Sequence, residues 1–198
     1  LTAEQAAIVS DLRKDHQRLV RIVSELLNMA QAESGKLEIQ HIPFHLDAAV
    51  EEAILAVQNT ADQRAISITH KGIGELPAVL GDSDKTVWVL VNLLGNAIRY
   101  APAGSAIDVM GEETQGSVRL AVRDQGPGVP LDLRSHIFER FIHGHARTEP
   151  HAGLGLAICR EFMNAMGGSI SYRSEEGAGA TFVLTFVASH LDQDSATD

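Results

Sequence analysis

The stretch NLLGNAIRY contains polar side chains that could bind a ligand or a metal ion. Asn92 and Asn96 are four positions apart, so both lie on one face of a predicted helix. Their amides need partners inside an apolar helix, and a carboxamide oxygen is a suitable ligand for Mg2+ beside phosphate. Arg99 and Tyr100 follow within one turn and could reach phosphate or ribose. Taken alone, the asparagine pair could equally cap or bridge a neighbouring loop.

Three glycine-containing segments add further candidates. In DQGPGV, Asp124 directly follows a predicted strand, and its carboxylate could accept a hydrogen bond from an amine of a flat ligand. In GLGLAI, the glycines begin a predicted helix whose unpaired N–H groups and dipole favour phosphate oxygens. The third segment, GAGATF, predicts a tight hairpin between the last two strands. Each is a weak signal by itself, because DQGPGV could be an ordinary turn and no Walker P-loop pattern is present.

Apolar spacing and turn residues predict the elements that must position these side chains. Helices are predicted from Leu46 to about Arg64, from a cap at Asp82 or Ser83 to Tyr100, and from the glycines of GLGLAI to Gly167. Strands are predicted at LEIQ (37–40), 66–70, 107–110, 118–122, SISYRS and ATFVLTFVA, with Pro43 separating LEIQ from the next helix. Residues 131–152 are expected to be mobile except at Phe138 and Phe141. This order predicts an α/β fold, an α+β two-layer sandwich with helices on one face of a mixed sheet.

The first third of the sequence predicts a lone long helix. Two apolar rows recur every seven residues, one broken by a polar residue: Ile8, Asp15, Ile22 and Met29, and Leu12, Leu19 and Leu26. Seven-residue spacing favours a bundle or coiled coil with a partner helix. The alternative is an amphipathic helix packed on its own domain. The domain boundary is expected near Ser34–Lys36.

Composition excludes several classes of protein. The chain has 198 residues, of which 44% are hydrophobic, and a formal net charge of −10, which argues against a nucleic-acid partner. Cys159 is the single cysteine, so no disulfide framework is expected and a reducing, cytosolic setting is favoured. No apolar run is long enough to span a membrane, and the first residues do not follow a signal-peptide pattern.

In their order and spacing, these segments together resemble a known family. The stretch from about 46 to 187 resembles the ATP-binding catalytic domain of sensor histidine kinases, in the superfamily shared with gyrase, MutL and heat-shock chaperone ATPases. NLLGNAIRYA resembles the N box, DQGPGV the first glycine box, IFERF the F box, GLGLAI the second glycine box and GAGATF the last glycine motif. RLVRIVSELLNMAQAESGKLEIQ resembles the second helix of the dimerisation hairpin. The implied organisation is an incomplete hairpin (1–34), a linker with a first short strand (35–45), the catalytic domain (46–189) and a polar tail (190–198).

The resemblance implies a left-handed α/β sandwich of the Bergerat type that binds ATP and Mg2+. Asp124 would accept from the adenine amine beside Gly126 and Gly128, and Asn96 would hold the metal. The phosphates and sugar would be bound by Asn92, Arg99 and Tyr100 and by the backbone at Gly153 and Gly155. Arg140 would be a cation of the lid, and the resemblance implies that it acts in catalysis with Asn92, Asn96 and Arg99. Phe138 and Phe141 would anchor the base of the lid. Further residues implied to line the nucleotide are Val129, Leu154, Leu156 and Thr181.

Two departures from the family pattern matter. No H-E-[LIV]-R-T-P stretch occurs in the sequence, so the phosphoacceptor histidine is expected on a hairpin outside it, and His16 lacks the carboxylate and proline that should follow an acceptor. His151 and Ala152 replace the usual Gly-Thr before the second glycine box. A lid metal site built from His143, His145 and His151 is disfavoured, because loop histidines at such spacing are more often solvated.

The function implied is that of an ATP-dependent protein-histidine kinase in a two-component system, inactive as this segment alone. Gyrase and chaperone branches carry a water-activating Glu four positions before the metal-binding Asn, whereas this sequence has Asn92, which cannot act as a base. The alternative is a catalytically idle nucleotide-binding module that acts through protein contacts, and a stand-alone ATPase is less favoured still. Implied partners are a response regulator receiver domain and a second copy through the N-terminal helix. No nucleic acid and no membrane contact by this segment are expected, and the location is cytoplasmic, whether or not the parent protein is anchored in a membrane.

Overall fold

The computed structural model describes residues 37–142, 153–175 and 177–189 throughout, together with scattered positions between 2 and 31. The expected domain boundary, the lid histidines and the polar tail lie outside the described residues. Within the described part of the protein, no helix combines the length and apolar character that crossing a bilayer requires.

Helix α1 comprises the described positions between 5 and 31, all of which are helical. Much of its apolar surface is open to solvent, since Leu12 and Leu19 are each 62% exposed and Leu26 is 50% exposed. Met29 is different, because it is 9% exposed and packs into the hydrophobic core. The lone preceding helix is therefore confirmed at its described positions, whereas its pairing with a second copy stays a prediction.

In the described residues after α1, single strands or pairs of successive strands lie between the helices. These elements are β1 (Ile42–Phe44), α2 (Leu46–Gln63), β2 (Ser67–Lys71), β3 (Val79–Gly81), α3 (Ser83–Tyr100), β4 (Ala106–Thr114), β5 (Ser117–Arg123), α4 (Gly155–Ala165), β6 (Ser169–Ser174) and β7 (Ala180–Ala188), with a 3-10 turn at Leu131–Leu133. The three helices after α1 were all predicted, with ends within about two residues of the observed ones.

The strands form one seven-stranded mixed sheet in the order β1-β3-β7-β5-β4-β2, and β6 also pairs with β7. β3 and β6 occupy successive stretches of the β7 edge that faces away from β5. The β2–β4 pair is parallel, which requires a crossover connection, and α3 lies in that connection. The other pairs are antiparallel.

One face of the sheet carries the core and the helices. Along β5 and β7 alternate side chains are buried, as in Leu120 and Leu184, which are both 0% exposed. Arg119 and Arg123 of β5 point to the opposite, exposed face. This alternation is what a two-layer structure requires, and it confirms the predicted α/β sandwich.

The first strands differ from the prediction. LEIQ is not a strand, and the first strand pairing occurs at Ile42–Phe44, with Pro43 inside β1. Because β1 lies at the edge of the sheet, a residue without an N–H is tolerated there. β3, at Val79–Gly81, was not predicted. β4 and β5 also extend beyond the predicted ranges.

Asp82 fixes the beginning of α3. Its Oδ1 accepts from the backbone N–H of Lys85 at 3.0 Å, as expected of an N-cap, and its Oδ2 accepts from the backbone N–H of Gln40 at 3.1 Å. Of the two predicted caps, Asp82 or Ser83, the structure uses Asp82. The same carboxylate therefore holds both the helix and the segment that leads in from α1.

Arg64 fixes the end of α3 from the neighbouring helix α2. Its guanidinium donates to the backbone oxygen of Ile98, to that of Arg99 at 2.7 Å and to that of Ala101 at 3.0 Å. These carbonyls belong to the last turn of α3 and its cap, where a helix leaves backbone oxygens without intrahelical partners. Arg64 thus caps the C-terminal end of α3 from another element.

Candidate functional site

Asp124 directly follows β5 and is buried, at 7% exposed. Its Oδ1 accepts from the backbone N–H groups of Gly126 at 2.7 Å and Ala180 at 3.3 Å. Burial raises the pKa of Asp124, and the two backbone hydrogen bonds oppose that rise without cancelling it. Within the described ranges no donor reaches Oδ2. That oxygen is therefore available to an amine of a ligand.

Gly126 brings the turn after Asp124 against the end of α3. A Cβ at Gly126 would lie 2.8 Å from Asp124 Oδ1 and 3.2 Å from the backbone oxygen of Tyr100. The Tyr100 oxygen belongs to the backbone, and Asp124 Oδ1 is held by two backbone N–H groups, so a side chain at position 126 would force one of these contacts to shift. The DQGPGV turn and the end of the asparagine-bearing helix therefore meet at this point.

Asn92 and Asn96 lie on α3 as predicted, and both are half-buried. Asn92 Nδ2 donates to the backbone oxygen of Trp88 at 2.9 Å, which leaves its Oδ1 as the acceptor end of the amide. Asn96 Oδ1 accepts from Arg99 Nη1 at 3.4 Å. The guanidinium of Arg99 also lies 5.8 Å from the ring centroid of Tyr100, which is 39% exposed.

The beginning of α4 lies against Asn92. A Cβ at Gly155 would lie 2.7 Å from Asn92 Oδ1, so the second glycine segment and the asparagine helix meet at this point. Leu154, at the N-cap, makes no capping hydrogen bond with its side chain, and the first intrahelical bond runs from Ile158 N to Leu154 O at 3.0 Å. The N–H groups of the first turn therefore lack intrahelical acceptors, a common feature of phosphate-binding helix ends.

An aromatic cluster forms around Phe138, which follows the 3-10 turn in the sequence. The ring of Phe138 contacts the rings of Tyr172 at 5.9 Å and Phe182 at 6.5 Å between centroids, both edge-on. The ring of Phe138 thus packs against β6 and β7, and its role as an anchor of the lid stays a prediction. Phe141 is 63% exposed, and its backbone N–H donates to Gly153 O at 2.9 Å. Phe141 therefore meets the second glycine segment through its backbone, and the anchoring role of its ring stays a prediction.

Comparison with known proteins places this geometry in a family. Residues 81–190 match the family described as Histidine kinase-, DNA gyrase B-, and HSP90-like ATPase. The chain belongs to this family. Over 191 residues it is 29% identical to the signal transduction histidine-protein kinase BarA of Escherichia coli K12, covering 92% of this chain and 21% of BarA. The chain therefore spans about a fifth of that kinase.

Two solved structures of histidine kinases share the fold of this ATPase-family chain. Full-length ShkA in complex with AMPPNP superposes with a TM-score of 0.81 at 31% identity, covering 96% of this chain and 40% of ShkA. ThkA in complex with the response regulator TrrA superposes with a TM-score of 0.72 at 23% identity, covering 96% of this chain and 53% of ThkA. Both comparisons support the mixed sheet with helices on one face.

The structure also describes the remaining predicted site residues of this ATPase-family chain. Val129 and Leu156 are half-buried, and Thr181 lies in β7 between Arg123 of β5 and Arg173 of β6. Arg140 is exposed. Their roles in binding a nucleotide stay predictions, as do the roles of the other candidate site residues described above.

The donor set fits a nucleotide and a hard cation. Asp124 presents a carboxylate oxygen, α4 presents N–H groups, and Asn96 presents one amide oxygen, which suits a Mg2+ ion that keeps most of its water and binds phosphate. Among the described residues, no group of three or more His, Cys, Asp and Glu could hold a metal ion by protein ligands alone.

Two structural contributors were missed by sequence reasoning. Arg64 binds carbonyls 34 to 37 positions away, and Ser174 binds a backbone N–H 45 positions away in the first glycine segment. Neither residue lies in a motif, and no local spacing indicates such distant partners.

Proposed function

We propose that this chain binds ATP with Mg2+ between α3, the DQGPGV turn and the beginning of α4. The observation that carries the proposal is the meeting of three predicted segments: Gly126 lies against the end of α3, and Gly155 lies against Asn92. A purine amine would donate to Asp124 Oδ2, and phosphates would accept from the first N–H groups of α4. The family membership and the AMPPNP bound to ShkA support a nucleotide as the ligand.

In this proposal the residues of α3 act on the phosphate side. Asn96 Oδ1 would hold Mg2+, Asn92 would support the phosphates, and Arg99 and Tyr100 would contact phosphate and sugar. Bound Mg2+ would supply neutralisation of phosphate charge during transfer. Arg99 already approaches Asn96 at 3.4 Å, so its positive charge lies next to the amide oxygen that would face the ion and phosphates.

We further propose that the reaction is phosphoryl transfer to a histidine of a hairpin outside this sequence. Asn92 cannot take a proton from water, because an amide has no useful basic form near neutral pH. Attack by an imidazole nitrogen would form the N–P bond as the bond from the γ-phosphorus to the bridging oxygen breaks and ADP leaves. Positioning and charge neutralisation are sufficient for such a step.

The partners belong to the same proposal. The exposed apolar row of α1, including Leu12 and Leu19, is suited to packing against a second copy in a helical bundle. A response regulator receiver domain would accept the phosphoryl group, which is consistent with the complex of ThkA and TrrA. The cytoplasmic location that the resemblance implies is part of this proposal as well.

Two measurements test the proposal in sequence. Isothermal titration with ATP, with and without Mg2+, should show saturable binding that strengthens when Mg2+ is present. Radiolabelled ATP should then label an added hairpin that contains a family phosphoacceptor motif, and a hairpin with that histidine replaced by Ala is the control. Binding without any labelling would contradict the kinase assignment and favour an idle nucleotide-binding module. Steady release of phosphate by the protein alone would indicate an ATPase instead.

A further inference from the structure

Ser174, the last residue of β6, connects two segments of the proposed pocket through its hydroxyl group. The backbone N–H of Val129 donates to Ser174 Oγ at 2.7 Å, and Oγ donates to the backbone oxygen of Gly179 at 3.0 Å. Val129 ends the first glycine segment and Gly179 lies in the last one. The hydroxyl therefore uses its donor and an acceptor position at the same time.

The backbone of the β6–β7 hairpin packs directly on the turn that Ser174 holds. Gly177 N donates to Pro127 O at 2.9 Å. Gly128 has a φ of +78°, and a Cβ there would lie 2.4 Å from the backbone oxygen of Glu175. These contacts are made by backbone atoms. Beside Asp124 itself, Ser174 thus supplies a side chain that hydrogen-bonds to both the turn and the hairpin.

The held turn is also the one that orients Asp124. Gly126 N–H bonds to Asp124 Oδ1 at 2.7 Å, and Ala180 N–H, at the start of β7, bonds to the same oxygen at 3.3 Å. Both donors of the carboxylate therefore belong to segments that the Ser174 hydroxyl joins. If the turn moved away from the hairpin, the N–H groups of Gly126 and Ala180 would separate and the carboxylate of Asp124 would no longer be held in one orientation.

We propose that Ser174 is a positioning residue for the base-binding side of the pocket. Its hydroxyl holds the DQGPGV turn on the β6–β7 hairpin, so Asp124 is already oriented before the ligand arrives and binding does not have to order the turn. This inference rests on the proposed binding of ATP. It adds that recognition of the base, and not of the phosphates, depends on a residue that does not contact the ligand.

The test compares Ser174→Ala with Ser171→Ala by titration with two ligands, Mg-ATP and Mg-tripolyphosphate. Ser171 is an exposed serine on the same strand and serves as the matched control. Ser174→Ala should weaken Mg-ATP about tenfold, a change equivalent to roughly the net worth of one or two hydrogen bonds. Its affinity for Mg-tripolyphosphate should stay within about twofold of the wild type, and Ser171→Ala should change neither ligand.

Amide hydrogen exchange gives a second readout that general destabilisation would not reproduce. In the wild-type protein the Val129 amide should be protected, and in Ser174→Ala it should exchange faster while amides in the centre of β5 keep their protection. Rapid exchange of Val129 in the wild type would refute the inference even if the variant does not fold. Unchanged ATP affinity in Ser174→Ala, or equal weakening of both ligands, would also refute it. Failure of the wild type to bind ATP would instead contradict the proposed function, and the two failures are therefore distinguishable.

Discussion

Replacement of Asp124 by Asn tests the proposed pocket most directly, because it removes the charge and leaves the shape. The Asn side-chain oxygen can still accept from the N–H groups of Gly126 and Ala180, which now bond to Oδ1. The other end becomes an NH2 group, which cannot accept from a purine amine. The variant should therefore lose one ligand hydrogen bond to a charged acceptor while its backbone contacts persist.

The expected size follows from the burial of this carboxylate. Asp124 is 7% exposed, so the lost bond is made largely out of water. A hydrogen bond to a charged group in such a setting is worth about 1–3 kcal/mol, and ATP affinity should fall roughly 5- to 140-fold. Stability should not fall, because burial raises the pKa of Asp124 and the neutral amide avoids the cost of burying that charge.

Isothermal titration with ATP, together with thermal unfolding, measures both quantities. Asp62→Asn is a suitable control, because Asp62 is an exposed carboxylate of α2 that bonds only within its own helix, to Gln58 Nε2 at 2.7 Å. Mg-tripolyphosphate should bind Asp124→Asn as it binds the wild type. Unchanged ATP affinity, or an equal loss for tripolyphosphate, would refute the placement of the base at Asp124.

Three further predictions follow from the same contacts. Asn96→Ala should remove most of the gain in ATP affinity that Mg2+ provides and spare binding measured in EDTA; loss of both components would contradict a metal role. The raised pKa of Asp124 means that the folded protein holds this proton more tightly than the unfolded protein. As pH rises from below 4 through that pKa, the free energy of unfolding of the wild type should therefore decrease relative to that of Asp124→Asn. Over the same pH range the ATP affinity of the wild type should increase relative to that of the variant. If stability and affinity depend on pH in the same way in both proteins, Asp124 does not titrate in this range. Arg64→Ala should lower the free energy of unfolding by about 1–3 kcal/mol in urea titrations, because the carbonyls that end α3 lose a charged donor. Arg119→Ala, on the exposed sheet face, should be close to neutral, and equal effects of the two would argue against the cap.

Local sequence patterns were sufficient to predict the helix and the glycine segments that form the candidate site. α3 was predicted correctly because Asp82 is an N-cap residue directly before a long helix-spaced apolar run, and Pro102 follows its end. The DQGPGV turn and the start of α4 were recognised because each places closely spaced glycines next to a predicted strand or helix. Their meeting with α3 agrees with the resemblance to the kinase family.

The elements and contacts that were predicted wrongly or missed depend on partners that are distant in the sequence. β3 has three residues, and it is a strand because it pairs with β1 and with Ala188 at the end of β7. LEIQ has a strand-like composition, yet Gln40 instead gives its N–H to Asp82, which lies 42 positions away. Ser174 and Arg64 were missed for the same reason. A single sequence without the fold does not reveal which side chain meets which backbone group across such separations.

The ties at the two ends of α3 have a mechanical consequence. The Asp82 carboxylate accepts hydrogen bonds from the first turn of α3 and from Gln40, and the Arg64 guanidinium at the end of α2 donates to backbone oxygens at the end of α3. Neither end of α3 can unwind without losing the hydrogen bonds of Asp82 or Arg64, so we expect the helix to move as one rigid unit between the segment that contains Gln40 and the sheet. A pull on Gln40 would therefore tilt or shift Asn92 and Asn96 together, keeping their spacing while changing where both amides stand.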